Sequence, residues 1–251
     1  PGGELDFLAA RGAAIPDYRA RCAALQCFTP ILFTDISDAI AAFVEFEWRA
    51  DNSPFDAYLR HGTPLSDAAM AGLDLFYGTA GCVSCHSGQF QTDHAFYALA
   101  IPQGGPGKAA RSERHAEDVG RLRVTGAADD AYAFRTPSLR NIAHTAPYGH
   151  SGAYATLEEV IAHHADPLAS LQGYDAAQLV MPGFSAVDLR VFEDARAMAQ
   201  LRSVARPVSP ALTETETAQI IAFLHALTDP ASIDGTLGVP EAVPSGLPVD
   251  R

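Results

Sequence analysis

The chain has 251 residues, 48% of them hydrophobic, and a formal net charge of −13. That is enough apolar material for a real core in one large domain or two small ones, and no apolar run is long enough to span a membrane as a helix. An acidic surface whose only lysine is Lys108 excludes nucleic-acid binding, which rests on basic patches, and is compatible with a basic protein partner.

The chain opens Pro1-Gly2-Gly3, with no initiator Met and no charged-then-apolar leader. Either a removed signal peptide or a piece of a longer polypeptide is expected. Cys22 and Cys27 do not share a helix face. They are expected either as a disulfide at a helix end in an oxidising compartment or as two buried, inert thiols. Ile36, Ile40, Phe43 and Val44 recur at helical spacing and predict a helix over 34–50, with Trp48 as a packing residue. Asp51-Asn52-Ser53-Pro54 is expected to end it. Ser66 reads as an N-cap, followed by a helix carrying Met70, Leu73, Phe76 and Tyr77 on one side and stopping at Gly78. Gln103 to Gly107 is a Gly/Pro loop. Thr156 with Glu159 and Thr213 with Glu216 are capping boxes that start two more helices. Ile220, Ile221, Phe223, Leu224 and Leu227 form the apolar side of the last, and Asp229-Pro230 is expected to close it. Residues 230–251 are rich in Pro and Gly and read as an extended arm. No convincing set of strands is present, so the expected class is mostly α.

Cys82-Val83-Ser84-Cys85-His86 carries the chemistry. Two thiols at this spacing meet the two vinyl groups of one porphyrin, and an imidazole beside the second thiol reaches the iron. A zinc site would want a second pair at matching spacing, which Cys22 and Cys27 do not supply. A thioredoxin-like pair would want a preceding strand, where a helix is predicted. One covalent haem c is therefore expected, attached at Cys82 and Cys85 with His86 on the iron.

The other axial position takes His, Met or Tyr, or stays open. Leu157, Val160, Ile161 and His164 fall on one apolar helix side. His163 is rotated about 100° from it, toward the polar side. His164 is thus the expected second ligand, the alternative being a buried histidine satisfied by a carbonyl. Met181 and Met198 are expected as core fillers. His61, His94, His115, His144 and His225 are expected at the surface or around the site.

The segment Phe134-Arg135-Thr136-Pro137-Ser138-Leu139-Arg140-Asn141-Ile142-Ala143, then Thr145-Ala146-Pro147-Tyr148-Gly149-His150-Ser151-Gly152 and Ala155-Thr156-Leu157-Glu158-Glu159-Val160, resembles the bacterial di-haem cytochrome c peroxidase family, including its MauG-type branch. Asn52-Ser53-Pro54-Phe55-Asp56-Ala57-Tyr58-Leu59 and Val243-Pro244-Ser245-Gly246-Leu247-Pro248-Val249 resemble it too. The match is to the family's second haem domain. It implies a cytochrome c-like domain over 63–229 with long loops, preceded at 1–62 by a segment resembling the end of a first haem domain, and followed by the arm at 230–251.

The family's distal ligand falls at His164, where ordinary peroxidases have Met and the MauG type has Tyr. A pair of imidazoles stabilises ferric iron relative to His/Met and lowers the potential. The resemblance also implies haem or propionate contacts for Arg135, Arg140 and His150, and a calcium ion held in part by the backbone carbonyls of Thr145 and Pro147. A solvated or salt-bridged role is the alternative for the two arginines, and a plain structural one for His150. The family has two C-x-x-C-H motifs and a tryptophan between its haems; this chain has one motif and lacks that tryptophan. The implied function is the electron-transfer domain of a periplasmic peroxidase-type oxidoreductase. It would relay electrons to or from a peroxide-reacting haem in an N-terminal domain, with a redox protein as donor or a protein as substrate. The alternative is a stand-alone, single-haem electron-transfer cytochrome.

Overall fold

A computed structural model describes residues 5–25, 30–104, 117–179 and 188–249. In chain order its α-helices are α1 (Leu5–Ala14), α2 (Pro16–Ala24), α3 (Phe33–Glu47), α4 (Pro54–His61), α5 (Asp67–Tyr77), α6 (Leu122–Thr125), α7 (Leu157–Ala165), α8 (Pro167–Gln172), α9 (Arg190–Glu193), α10 (Ala195–Ser203), α11 (Glu214–His225) and α12 (Pro230–Asp234). Two short strands, β1 (Phe96–Ala98) and β2 (Ala133–Arg135), pair antiparallel with Tyr97 opposite Phe134. The chain divides into two compact units, 52–228 and a second formed by 1–51 with 229–251.

In the unit 52–228, α5 and α11 make the most extensive helix–helix contact among the described residues. Ser66 caps α5 through the Ala69 amide, and the Thr213–Glu216 capping box starts α11, both as the sequence predicts. The two helices approach so closely that a Cβ on Gly72 would lie 1.8 Å from the Gln219 carbonyl oxygen. Phe76 and Phe223 meet there with ring centroids 5.1 Å apart and, with Phe55 and Leu227, anchor the main core. A second core gathers Tyr132, Leu171, Val191, Met198 and Leu201; Met198 is the core filler expected, and Met181 and His115 lie outside the described residues.

The turn read as a stop at 51–54 is also a start. Ser53 caps α4, accepting from the Asp56 amide while Asp56 accepts from the Ser53 amide, and Pro54 sits at the first helical position, where its missing N–H costs nothing. Asp229-Pro230 repeats the device. α11 already ends at His225, and Asp229 caps the new helix α12. The arm is therefore extended only beyond α12.

Within the unit of 1–51 and 229–251, the arm is tied down by Glu47. Its buried carboxylate accepts the Leu237 and Gly238 amides at 2.6 and 3.1 Å. Those bonds hold its pKa below the ordinary carboxylate value, against the opposing effect of burial. Cys22 is disulfide-bonded; Cys27 lies outside the described residues. Trp48 is half exposed and meets Phe43 edge-on, so its packing role is partial.

Candidate haem site

The site is built at the end of α5. Gly78 ends the helix, Gly81 turns the chain at φ +73°, and Cys82–Ser84 form one 3-10 turn. The amides of Cys85 and His86 both return to the Cys82 carbonyl, at 3.3 and 2.9 Å. This tight turn sets two free, half-buried thiols and the His86 imidazole on one short stretch. Burial raises the pKa of the Cys82 thiol.

The loop after the motif is braced by the segment 135–140. Thr92 Oγ1 donates to the Thr136 carbonyl at 2.7 Å, and Ser138 Oγ donates to the Phe90 carbonyl at 2.7 Å. Arg140 donates to the Gln89 carbonyl and forms an ion pair with Asp56, both side chains nearly buried. Burial alone would raise the Asp56 carboxyl, but hydrogen bonds from Arg140 and Ser53 outweigh it and leave the pKa lowered. A carboxylate depressed in the folded state contributes stability above its unfolded pKa and loses it as pH falls through the folded value. The urea midpoint is therefore expected to drop as pH is taken from 5 toward 2, with a flatter pH dependence in Asp56→Asn. Equal slopes would remove Asp56 from the acid response.

The ring of His86 is held by a carbonyl: Nδ1 lies 3.0 Å from the Gln91 oxygen. An Nδ1–H donated there puts the ring's lone pair on Nε2, the form in which histidine binds a metal, and the Pro137 carbonyl also acts on the ring. His164 is arranged the same way, with Nδ1 2.6 Å from the Val160 carbonyl one turn earlier in α7. Burial lowers the pKa of both imidazoles, and the proximity of His164 lowers His86 further, against the opposing effect of their carbonyl hydrogen bonds. Among the described residues no three His, Cys, Asp or Glu side chains converge as a metal-ion site. Two free thiols and two imidazoles anchored through Nδ1 fit a haem c, which brings its own four nitrogens to the iron.

His163 corrects the sequence reading. It is not on a polar side but fully buried. Its Nε2 lies 2.7 Å from the Leu99 carbonyl and its Nδ1 2.8 Å from the Tyr154 hydroxyl, which also meets Ser170 at 2.8 Å. Burial takes its pKa down to about 4. With both nitrogens engaged, His163 has no lone pair to offer iron, and His164 alone remains on this helix. Short α7 packs core on two sides, so a single apolar stripe underestimates what it buries. The capping box at Thr156 starts it as predicted. Thr156→Ala is expected to cost about 1 kcal/mol, read as a shifted urea midpoint with an unchanged slope.

The remaining candidates are placed as follows. Arg135 reaches His94 Nδ1 at 3.2 Å and the Thr136 carbonyl at 3.0 Å. His150 stacks on Phe134 at 3.6 Å and pairs with Asp118 at 2.9 Å. Thr145 follows a 3-10 turn directly, and Pro147 is joined to Ala146 by a cis peptide bond. His61, His94, His144 and His225 are exposed. Gln91 was missed by the sequence reading: its part is played by its backbone carbonyl, which leaves no residue-type signal.

No protein-family model matches the chain. It is 36% identical to cytochrome-c peroxidase IdrP1 of Denitromonas iodatirespirans over 46% of this chain and 36% of that one. It is 30% identical to methylamine utilization protein MauG of Methylorubrum extorquens, over 64% of this chain and 43% of that protein. The chain thus spans less than half the length of these relatives. Among solved structures, a MauG-like protein associated with microbial copper homeostasis matches with a TM-score of 0.51 and 31% identity, over 73% of this chain and 53% of the other. The mostly helical, cytochrome c-like class expected from the sequence is the class observed. Over the matched part, the chain is similar in sequence and in fold to cytochrome c peroxidases and MauG-like proteins.

Proposed function

We propose that this chain is the electron-transfer haem domain of a larger di-haem, peroxidase-type oxidoreductase. The observation that carries the reading is the matched pair His86 and His164, each with Nδ1 on a backbone carbonyl. A haem held between them would supply a one-electron carrier. Cys82 and Cys85 would attach it, and the two anchored imidazoles would hold its iron. An iron held by two protein imidazoles would offer peroxide no vacancy. Peroxide chemistry is therefore assigned to a second haem in a domain preceding this chain.

The exposed apolar side chains of α3 (Ile40, Phe43 and Phe46) support such a domain, because a face of this kind is usually covered. The disulfide at Cys22 supports a periplasmic location, since such bonds persist in oxidising compartments. In the same reading Arg135 and His150 lie toward the propionates and Arg140 braces the motif loop. The carbonyls of Thr145 and Pro147 join oxygen ligands from the other domain around a calcium ion. A redox protein exchanges electrons with the assembly.

Haem stoichiometry and peroxide reactivity of the native gene product test the reading. Two haems per chain with a peroxide-driven spectral change are expected. One haem and no change would instead make it a stand-alone, single-haem electron-transfer cytochrome.

A further inference from the structure

His163 sits beside the proposed ligand His164, is fully buried, and has both nitrogens paired. The direction of each bond follows from its partner. The Leu99 carbonyl can only accept, so His163 Nε2 carries the proton and donates at 2.7 Å. Nδ1 is then an acceptor, and the Tyr154 hydroxyl donates to it at 2.8 Å. The Tyr154 oxygen in turn accepts from Ser170 Oγ at 2.8 Å. From Ser170 through Tyr154 and His163 to Leu99, every donor has its acceptor. The two neighbouring histidines are therefore opposite tautomers: His163 carries its proton on Nε2, and His164 on Nδ1, where it meets the Val160 carbonyl.

This chain ties α7 to three other segments: Leu99 directly after β1, Tyr154 before the helix, and Ser170 on α8. Leu157 is buried and Val160 and Ile161 are partly buried in the core; such contacts set the depth of α7 but are non-directional. The Val208 amide donates to the His164 carbonyl at 3.0 Å. A helical carbonyl points along the axis, so this bond resists sliding more than roll. Directional bonds to a side chain that stands off the axis resist roll. Adjacent helical side chains are about 100° apart and turn together. About 10° of roll carries an atom about 6 Å off the axis through about 1 Å. A metal–nitrogen bond of about 2 Å tolerates only about 0.2 Å.

We infer that His163 is a positioning residue for the haem: held by Tyr154 and Leu99, it sets the roll of α7 and so keeps the His164 imidazole on the iron. The inference rests on the reading of His164 as the second axial ligand. It assigns His163 a part that its own nitrogens, both spent inside the protein, do not reveal. With the chain of bonds cut, α7 rolls, and a larger share of the haem loses its second imidazole.

The test is the electron paramagnetic resonance of the ferric, haem-loaded chain. In Tyr154→Phe and His163→Phe the high-spin fraction should rise about tenfold over the unmodified chain, the effect of one lost hydrogen bond on an open population. The remaining low-spin signal should broaden as the His164 ring takes a spread of orientations. His163→Gln, whose amide can still donate to the Leu99 carbonyl, should recover most of the low-spin signal. Thr156→Ala is the control: it weakens the same helix at its cap but leaves the chain of bonds intact, so its spin state should not change. Where a His163 variant fails to take up haem, Tyr154→Phe, which removes a single oxygen, decides. Unmodified spectra in Tyr154→Phe and His163→Phe beside a high-spin His164→Ala would overturn this inference alone. So would a Thr156→Ala spectrum altered as much as theirs, since His163 would then act only through stability. An unchanged His164→Ala would overturn the ligand reading and this inference with it.

Discussion

Replacing His164 with alanine is expected to turn a low-spin, six-coordinate ferric haem into a high-spin or water-ligated one, with nearly complete conversion in the absorption spectrum. His164 and His86 each have Nδ1 on a backbone carbonyl, which puts the lone pair on Nε2, whereas His163 spends both nitrogens on Leu99 and Tyr154. No neighbour on α7 can replace the lost ligand, so the vacancy should also admit small ligands such as cyanide or peroxide that the unmodified chain excludes. His164→Met makes the complementary case. A thioether favours ferrous iron relative to imidazole, so this variant should remain low-spin and shift to a higher reduction potential. A low-spin spectrum unchanged by His164→Ala would remove His164 from the iron.

Among the described glycines, Gly72→Ala is expected to be the most damaging added methyl group. Its Cβ would sit 1.8 Å from the Gln219 carbonyl oxygen and 2.4 Å from the carbonyl carbon. These are backbone atoms of α11, which no rotamer change can move aside. The helices would have to separate, loosening Phe76 and Phe223 at the crossing. Overpacking usually costs about 1–3 kcal/mol; a clash with rigid backbone belongs at or above the top of that range. Because α5 leads directly into Cys82, the damage should also appear as a low yield of haem-loaded protein. Denaturant unfolding and haem content together check this, and a variant with wild-type values of both would contradict the close crossing.

Much of the site was legible in the residues because it is written in local spacing. The C-x-x-C-H motif names its own chemistry, and the capping boxes at Thr156 and Thr213 place their helices. The position of His164 on the apolar stripe of α7 follows from the helical period alone. What was not legible depends on partners distant in sequence. The burial of His163 is set by Leu99 and Tyr154, which periodicity within α7 cannot report. The braces at 135–140 act largely through backbone carbonyls of residues 89 and 90, where side-chain identity says nothing. The X-Pro turns misled in a specific way. Ser53-Pro54 and Asp229-Pro230 were read as stops, but the preceding helices end several residues earlier and both pairs cap the helix that follows.

The central claim is that His86 and His164 are both iron ligands. Low-temperature electron paramagnetic resonance of the ferric, haem-loaded chain tests it most directly. The account predicts the low-spin signal of two imidazole ligands and no near-infrared charge-transfer band of methionine sulfur. A dominant high-spin signal, or a methionine-type band, would contradict it.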